Sequence, residues 1–416
     1  MSFESNNPNQ PIVKNNTPNP APQNAGGNAG PSSATQYKAY MVQLLKAMYE
    51  QKGSDLFITS GFPPAMKLNG ELIQMTNQPL TPENTLNFVH SIMNEKQKKE
   101  FTDNWECNFA IAIDGVARFR VNAFMQQGRA GMILRIINTK IPDINSLGVP
   151  DTLKKVIMEK RGLVIVVGAT GSGKSTTLAA MIGYRNNHQA GHIITIEDPI
   201  EFVHEHAKSI VTQREVGVDT KEWENALHNT LRQAPDVILI GEIRSRETME
   251  YAVAFAETGH LCLATLHANN SNQALDRIIN FFPEERRHQL LMDLSLNLKA
   301  VVSQRLIPAA TGGRVPAVEI LLNTPYIQDL IFKGEVSAIK EAMKKGKELG
   351  MQTFDQAIFN HYEDEKITYE DAMRNADSVT DLKLAIKLES KRGLPDDHKP
   401  VAATGGLGGL KILDHN

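Results

Sequence analysis

Nine consecutive residues, Gly168, Ala169, Thr170, Gly171, Ser172, Gly173, Lys174, Ser175 and Thr176, have the types and spacing needed to grip a chain of phosphates. The glycines let backbone N–H groups turn inward onto an anion, where side chains would obstruct them. Lys174 supplies a cation for the β- and γ-phosphates, and Ser175 a hydroxyl for Mg²⁺. The pattern carries weight only between a strand and a helix. Residues 163–167 form a β-branched apolar run of buried parallel-strand character, and good helix formers fill 175–184. That helix places its partially positive N-terminus on the same anion. A nucleoside triphosphate is the expected ligand.

Hydrolysis needs acids and polar groups at neighbouring strand ends. Residues 192–196 form a second apolar strand that runs into Glu197, Asp198 and Glu201, where carboxylates can hold Mg²⁺ through water or orient an attacking water. A third strand, 236–240, exits at Glu242, which the residues alone favour as the group that polarises water. His260 and His267 bracket a fourth strand and read as polar sensors of the γ-phosphate. Earlier in the chain, an Asp-Gly turn joins two strands, the second with Arg118 and Arg120 on one face. Arg135 lies on the strand after that. Taken alone, these arginines read as a solvated sheet face.

The 416 residues provide for two or three domains, and 41% hydrophobic with 22% charged residues is ordinary for a soluble globular chain. A net charge of −3 argues against nucleic acid as the main partner. Cys107 and Cys262 are too few for a disulfide framework or a zinc site, which suits a reducing cytoplasm. No apolar run approaches the roughly 20 residues of a membrane span. The expected organisation is an arm without fixed structure over 1–35, an α+β domain over 36–142, an α/β nucleotide domain with a helical C-terminal part over 150–390, and a tail over 391–416. Helices are expected over 37–51, 83–101, 151–159 and 223–233. Another, opened by Pro283, is expected to run through Leu290, Leu294, Leu298 and Val301. A tight hairpin at Asn69-Gly70, a turn at Gly312-Gly313 into a strand over 315–322, and a helix from Pro325 followed by three amphipathic segments complete the reading.

Four ordered blocks, GATGSGKST, TIEDPIEFVHE, DVILIGEIR and AETGHLCLATLHANN, resemble the Walker A, Asp box, Walker B and His box of the type II/IV secretion ATPase superfamily. The similarity extends over about 37–388, through GSDLFIT, ARFRVNAF and GMQTFDQAI, and is closest to the pilus retraction ATPases of the PilT/PilU group. Gln233-Ala234, the segment Tyr326-Ile-Gln-Asp-Leu-Ile331 and the extended C-terminus look more like its accessory, PilU-type branch. Ser245 departs from the aspartate usual after Gly-Glu-Ile-Arg, but serine can still cap a helix.

The resemblance implies a PAS-like N-terminal domain joined to a RecA-like P-loop domain, assembled as a homohexameric ring that hydrolyses ATP with Mg²⁺. Arg118, Arg120 and Arg135 become arginine-finger candidates, with Arg129 a weaker fourth. Glu201 becomes the general base, and Glu242 organises Mg²⁺ and water with Ser175. His260 and His267 report the γ-phosphate state to the neighbouring subunit. The implied partners are a second retraction ATPase and an inner-membrane pilus platform protein. The implied place is the cytoplasmic face of the inner membrane, and the implied task is pilus retraction in twitching motility. The rival readings are an ATP-binding regulatory subunit with little hydrolysis, an assembly or secretion ATPase, and a nucleic-acid translocase.

Overall fold

The computed structural model describes residues 32–68, 70–137, 140–392 and 394. The expected tail beyond 394 and residues 1–31 of the expected arm lie outside these. The first helix begins at Ser32, four residues before the boundary read from composition, and runs to Glu50.

Six antiparallel strands make the first sheet: β1 (Asp55–Ile58), β2 (Ala65–Leu68), β3 (Glu71–Gln74), β4 (Glu106–Ile113), β5 (Ala117–Gln126) and β6 (Arg129–Ile137), in the order β3-β2-β1-β6-β5-β4. The β2–β3 hairpin forms as expected, with Leu68 opposite Glu71 and Gly70 at φ +90°; Asn69 lies outside the described residues. Tyr37, Met41, Leu44, Leu45 and Met48 of the first helix pack against this sheet and Phe88. The helix expected over 83–101 is two helices, Pro82–Ser91 and Glu95–Asn104. Asn94 breaks the run because its side chain accepts from Gln97 N while Gln97 returns a bond to Asn94 N, a capping box that starts a new helix.

The second sheet contains β7 (Gly162–Val167), β8 (Gly191–Glu197), β9 (Ser209–Glu215), β10 (Val237–Ile240), β11 (Leu261–Leu266), β12 (Leu298–Pro308) and β13 (Arg314–Leu322), ordered β13-β12-β7-β11-β10-β8-β9. All neighbours are parallel except the β12–β13 hairpin, whose turn holds Gly312 at φ +91° and Gly313 at φ +80°. β7 is buried along its whole length, as a central parallel strand must be with helices on both faces.

Several elements here differ from the expected ones. The helix opened by Pro283 spans Glu284–Asn297 and stops; Leu298 and Val301 belong to β12, not to a helix. Their spacing from Leu290 and Leu294 imitates a helical stripe, but β12 fits between β7 and β13 and satisfies both its edges there. β9 occupies 209–215, a stretch to which the sequence reading assigns no element. The 151–159 helix is shorter, Thr152–Ile157, and the helix over 223–233 ends in a 3₁₀ turn after Thr230. Beyond Pro325–Lys333 lie four α-helices, Ile339–Lys345, Phe354–Glu363, Tyr369–Asn375 and Val379–Glu389, rather than three. The last three pack on the hairpin through Ile307 and Ala317 against Phe354, Ile358 and Ile386.

Candidate active site

Four adjacent strands, β7, β11, β10 and β8, bring their C-terminal ends to one edge of the sheet, where open α/β folds bind ligands. A cleft of about 490 Å³ opens there. The loop after β7 lines it with Thr170, Gly171, Gly173, Lys174, Ser175 and Thr176. Gly171 and Gly173 take φ of +78° and +89°, and a Cβ on Gly173 would stand 2.7 Å from Gln304 Nε2. Gly168 is equally restricted, because its Cβ would meet Gln304 O and Ser172 Oγ at 2.5 Å. The helix Lys174–His188 has no side-chain cap at its N-terminus. Its first N–H groups therefore keep their donors for a ligand. Ser172 Oγ is buried without a hydrogen-bond partner. An uncapped helix start, a glycine cradle and an orphaned hydroxyl suit a polyphosphate. Lys174 Nζ folds back on the loop, donating to Gly168 O at 2.7 Å and Ala169 O at 3.0 Å. Burial lowers its pKa, opposed by Glu201 and Glu242 nearby.

The acids face this loop from the next strands. Glu197, Asp198, Glu201 and Glu242 all line the cleft, together with His267 and Thr265. Glu242 follows β10 after Gly241, where the packing is tight: a Cβ would lie 3.1 Å from Glu197 Cα and Ile196 O. Thr265 Oγ1 donates to Gly241 O. One Glu242 oxygen meets Arg244 Nε at 2.6 Å and the other lies 3.3 Å from His267 Nε2; Arg244 also reaches Asp198 at 3.3 Å. Glu197 accepts from Thr195 Oγ1 at 2.6 Å and from Gln213 Nε2 at 3.3 Å, and burial pushes its pKa up to about 7. Among the described residues no cluster of three or more His, Cys, Asp or Glu side chains could hold a metal. Ser175, Glu201 and Glu242 offer only oxygen donors, which suits an ion held by few protein ligands, water and phosphate, as Mg²⁺ is.

The type II/IV secretion system protein family matches residues 38–319. The chain belongs to that family. It is 61% identical over 350 residues to the type IV pilus ATPase PilU of Pseudomonas aeruginosa, covering 84% of this chain and 92% of that protein. Identity to the type IV pilus retraction ATPase PilT of the same organism is 44% over 318 residues, covering 76% of this chain and 92% of PilT. The crystal structure of the pilus retraction motor PilT with bound ADP superposes with a TM-score of 0.78 at 41% identity, covering 83% of this chain and 99% of that one. These relatives place the chain among the P-loop ATPases of the PilT/PilU group.

Within this family fold, not every expected site residue reaches the cleft. His260 sits at the opposite end of β11 from His267, and six strand residues separate them by about 20 Å. Its Nδ1 lies within hydrogen-bond distance of Thr258 Oγ1 and Phe255 O, so within this chain His260 does not face the phosphate loop. Arg118, Arg120 and Arg135 share one face of the first sheet, Arg120 being paired with Arg135 across β5 and β6, and none lines the cleft. Arg135 is held by Asp55 at 2.6 Å. Arg118 and Arg120 lie near Glu215 at the end of β9, opposing the rise in its pKa that burial causes. Arg129 is at the far end of the same hairpin, opposite Gln126. Ser245 caps the helix Arg246–Glu257 by accepting from Thr248 N at 3.4 Å, so the missing aspartate costs no cap.

Sequence reasoning missed Gln304, Arg244 and Arg314. Gln304 on β12 donates to Ser172 O at 2.9 Å and accepts from Thr177 Oγ1 at 2.7 Å, bracing the loop from behind. Arg314 lines the cleft from β13. Only Arg244 left a signal, as a cation two residues after the acidic strand exit.

Proposed function

We propose that this chain is an ATP-hydrolysing motor subunit that promotes type IV pilus retraction and twitching motility, acting in a homohexameric ring beside a partner retraction ATPase. The observation that carries the reading is the opposition, across one cleft, of the glycine cradle with Lys174 to Glu201, Glu242 and His267. In it, Lys174 leaves the carbonyls of Gly168 and Ala169 for the β- and γ-phosphates. Ser175 and Glu242 hold Mg²⁺, partly through water; when bound, the ion neutralises charge on the phosphate oxygens. Glu201 accepts the proton of the attacking water, and His267 contacts the γ-phosphate side while bonded to Glu242.

Arg118, Arg120 and Arg135 lie outside their own chain's cleft, so bringing these three guanidinium groups to it requires domain closure or a neighbouring subunit. The 61% identity to PilU supports the accessory role, docked at the inner-membrane pilus platform. No helix among the described residues is long and apolar enough to cross a membrane, which fits attachment through a partner.

Steady-state ATPase of ring against monomer, with Lys174→Ala as control, tests the shared site: monomer as active as ring refutes it. Deleting the gene should leave excess surface pili and abolish twitching. A second reading, an ATP-binding regulatory subunit, draws on Arg244 and His267 occupying both oxygens of Glu242. Turnover that appears only with the partner motor would favour it.

A further inference from the structure

β12 carries three consecutive polar residues whose partners lie in different parts of the molecule. Gln304 points to the phosphate loop, while Ser303 and Arg305, one residue to either side, face the other way. On that second face runs the 267–270 loop, which leads from His267 into the helix Ser271–Asn280. The loop is pinned at three points. Arg277 Nη1 donates to His267 O at 2.8 Å, and Arg305 Nη2 donates to Asn269 O at 3.4 Å. Buried Glu319, itself held by Ser303 Oγ at 3.0 Å, accepts from Ser271 N at 2.8 Å.

Of these pins only Arg305 also holds the C-terminal helices. Its Nη2 lies 2.7 Å from Asp377 Oδ1, its Nη1 donates to Asn375 O at 3.1 Å, and its Cζ stands 3.9 Å over the Phe354 ring. One guanidinium thus joins the loop behind His267 to two successive helices, Phe354–Glu363 and Tyr369–Asn375, and to the turn that follows them. The anchorage on the helical side is built rather than incidental. Asp377 is almost fully buried and also meets Lys340 at 3.1 Å, and its backbone N donates to Asp355 Oδ1 at 2.8 Å. On the site side, His267 Nε2 lies 3.3 Å from Glu242. The chain of contacts therefore runs without a gap from the acidic strand exit to the helices beyond Phe354.

We propose that Arg305 is a positioning residue: by sharing its guanidinium between the 267–270 loop and the helices around Asp377, it sets His267 for the reaction and carries the state of the nucleotide site into those helices. This rests on the ATPase reading above. A planar fork suits the task, because its separate N–H groups can hold Asn269 O, Asn375 O and Asp377 together, which a lysine ammonium cannot.

Hydrogen exchange on the full chain, with and without a non-hydrolysable ATP analogue and Mg²⁺, tests it alongside steady-state kinetics. In the unaltered chain the analogue should protect 267–270 and 369–389 together. In Arg305→Ala, where Lys340 still neutralises Asp377, kcat should fall about five- to tenfold with KM changed less than about threefold. Protection of 369–389 by the analogue should vanish while the analogue still binds. Arg305→Lys, which keeps the ion pair with Asp377 and hence the fold, should lose the same protection, and it decides the matter should the alanine variant not fold. Analogue-dependent protection of 369–389 that survives in the lysine variant overturns the proposal. Binding without such protection in the unaltered chain overturns it alone, whereas failure of the unaltered chain to bind the analogue overturns the ATPase reading with it.

Discussion

Replacing Gln304 by leucine tests how far the phosphate loop depends on a strand remote in sequence. Gln304 is 3% exposed and both ends of its amide are engaged, accepting from Thr177 Oγ1 at 2.7 Å and donating to Ser172 O at 2.9 Å. Leucine is close in volume, so packing is nearly kept, but Thr177 Oγ1 and Ser172 O lose their partner. A buried polar group left without a partner costs about 1–3 kcal/mol, giving about 2–6 kcal/mol for two. Leucine recovers about 1–2 kcal/mol through its greater apolar burial. The net loss of about 1–4 kcal/mol corresponds to a fall in Tm of about 2–16 °C for a domain of this size. Ser172 also belongs to the anion cradle, so nucleotide affinity should fall about tenfold, or 1.4 kcal/mol. Gln304→Glu separates the two bonds: it still accepts from Thr177 but turns an oxygen toward Ser172 O. A carboxylate buried against that carbonyl and beneath the phosphates should cost more than leucine in both stability and nucleotide affinity. The assays are thermal unfolding without ligand and equilibrium binding of a fluorescent ATP analogue. A Gln304→Leu protein that melts within about 1 °C of the parent and binds the analogue equally well would refute the bracing role.

Three further outcomes are expected. Gly173→Ala should abolish nucleotide binding in a folded chain, since φ is +89° and the added Cβ meets Gln304 Nε2 at 2.7 Å; retained binding in the titration would contradict the cradle geometry. Glu197, with its pKa raised from 4.5 to about 7, binds its proton more tightly folded than unfolded. The stability this gives is complete below the unfolded pKa and disappears as pH rises through the folded one. Glu197→Gln should therefore gain on the parent between about pH 4.5 and pH 7 in denaturant titrations without nucleotide, and a pH-independent difference would contradict it. Asp55→Asn weakens the 2.6 Å contact that orients Arg135, so kcat should drop in the same direction as in Arg135→Ala, by less, with nucleotide affinity unchanged within about twofold; unaltered kcat in both would remove Arg135 from the site.

Several elements were written locally and therefore legible. The phosphate loop needs only nine contiguous residues, a preceding β-branched strand and a following helix, all adjacent in the chain. Glu242 was readable because four aliphatic residues must end at a sheet edge, and the acid that follows then stands there. β12 was misread because Leu290, Leu294, Leu298 and Val301 suit a helical stripe as well as a helix passing into a strand, and only pairing with β7 and β13 decides between them. The 83–101 segment hid its break because Asn94 acts through a cap rather than through hydrophobic spacing.

By itself the sequence determined the chemistry at hand: an anion cradle, a cation, acids at strand exits and, through four ordered blocks, the family. Strand order decided the rest. Which histidine lines the cleft beside the glycine loop follows from the direction of β11, since a parallel strand delivers only its C-terminal end to that edge of the sheet. That Ser172 rests on Gln304, or Asn269 on Arg305, depends on β12 lying beside β7, a neighbour 132 residues distant from Ser172 that no local propensity encodes. Local rules act over a turn or two of chain, whereas hydrogen-bond partners across a sheet are fixed only when the whole sheet closes its edges and buries both faces.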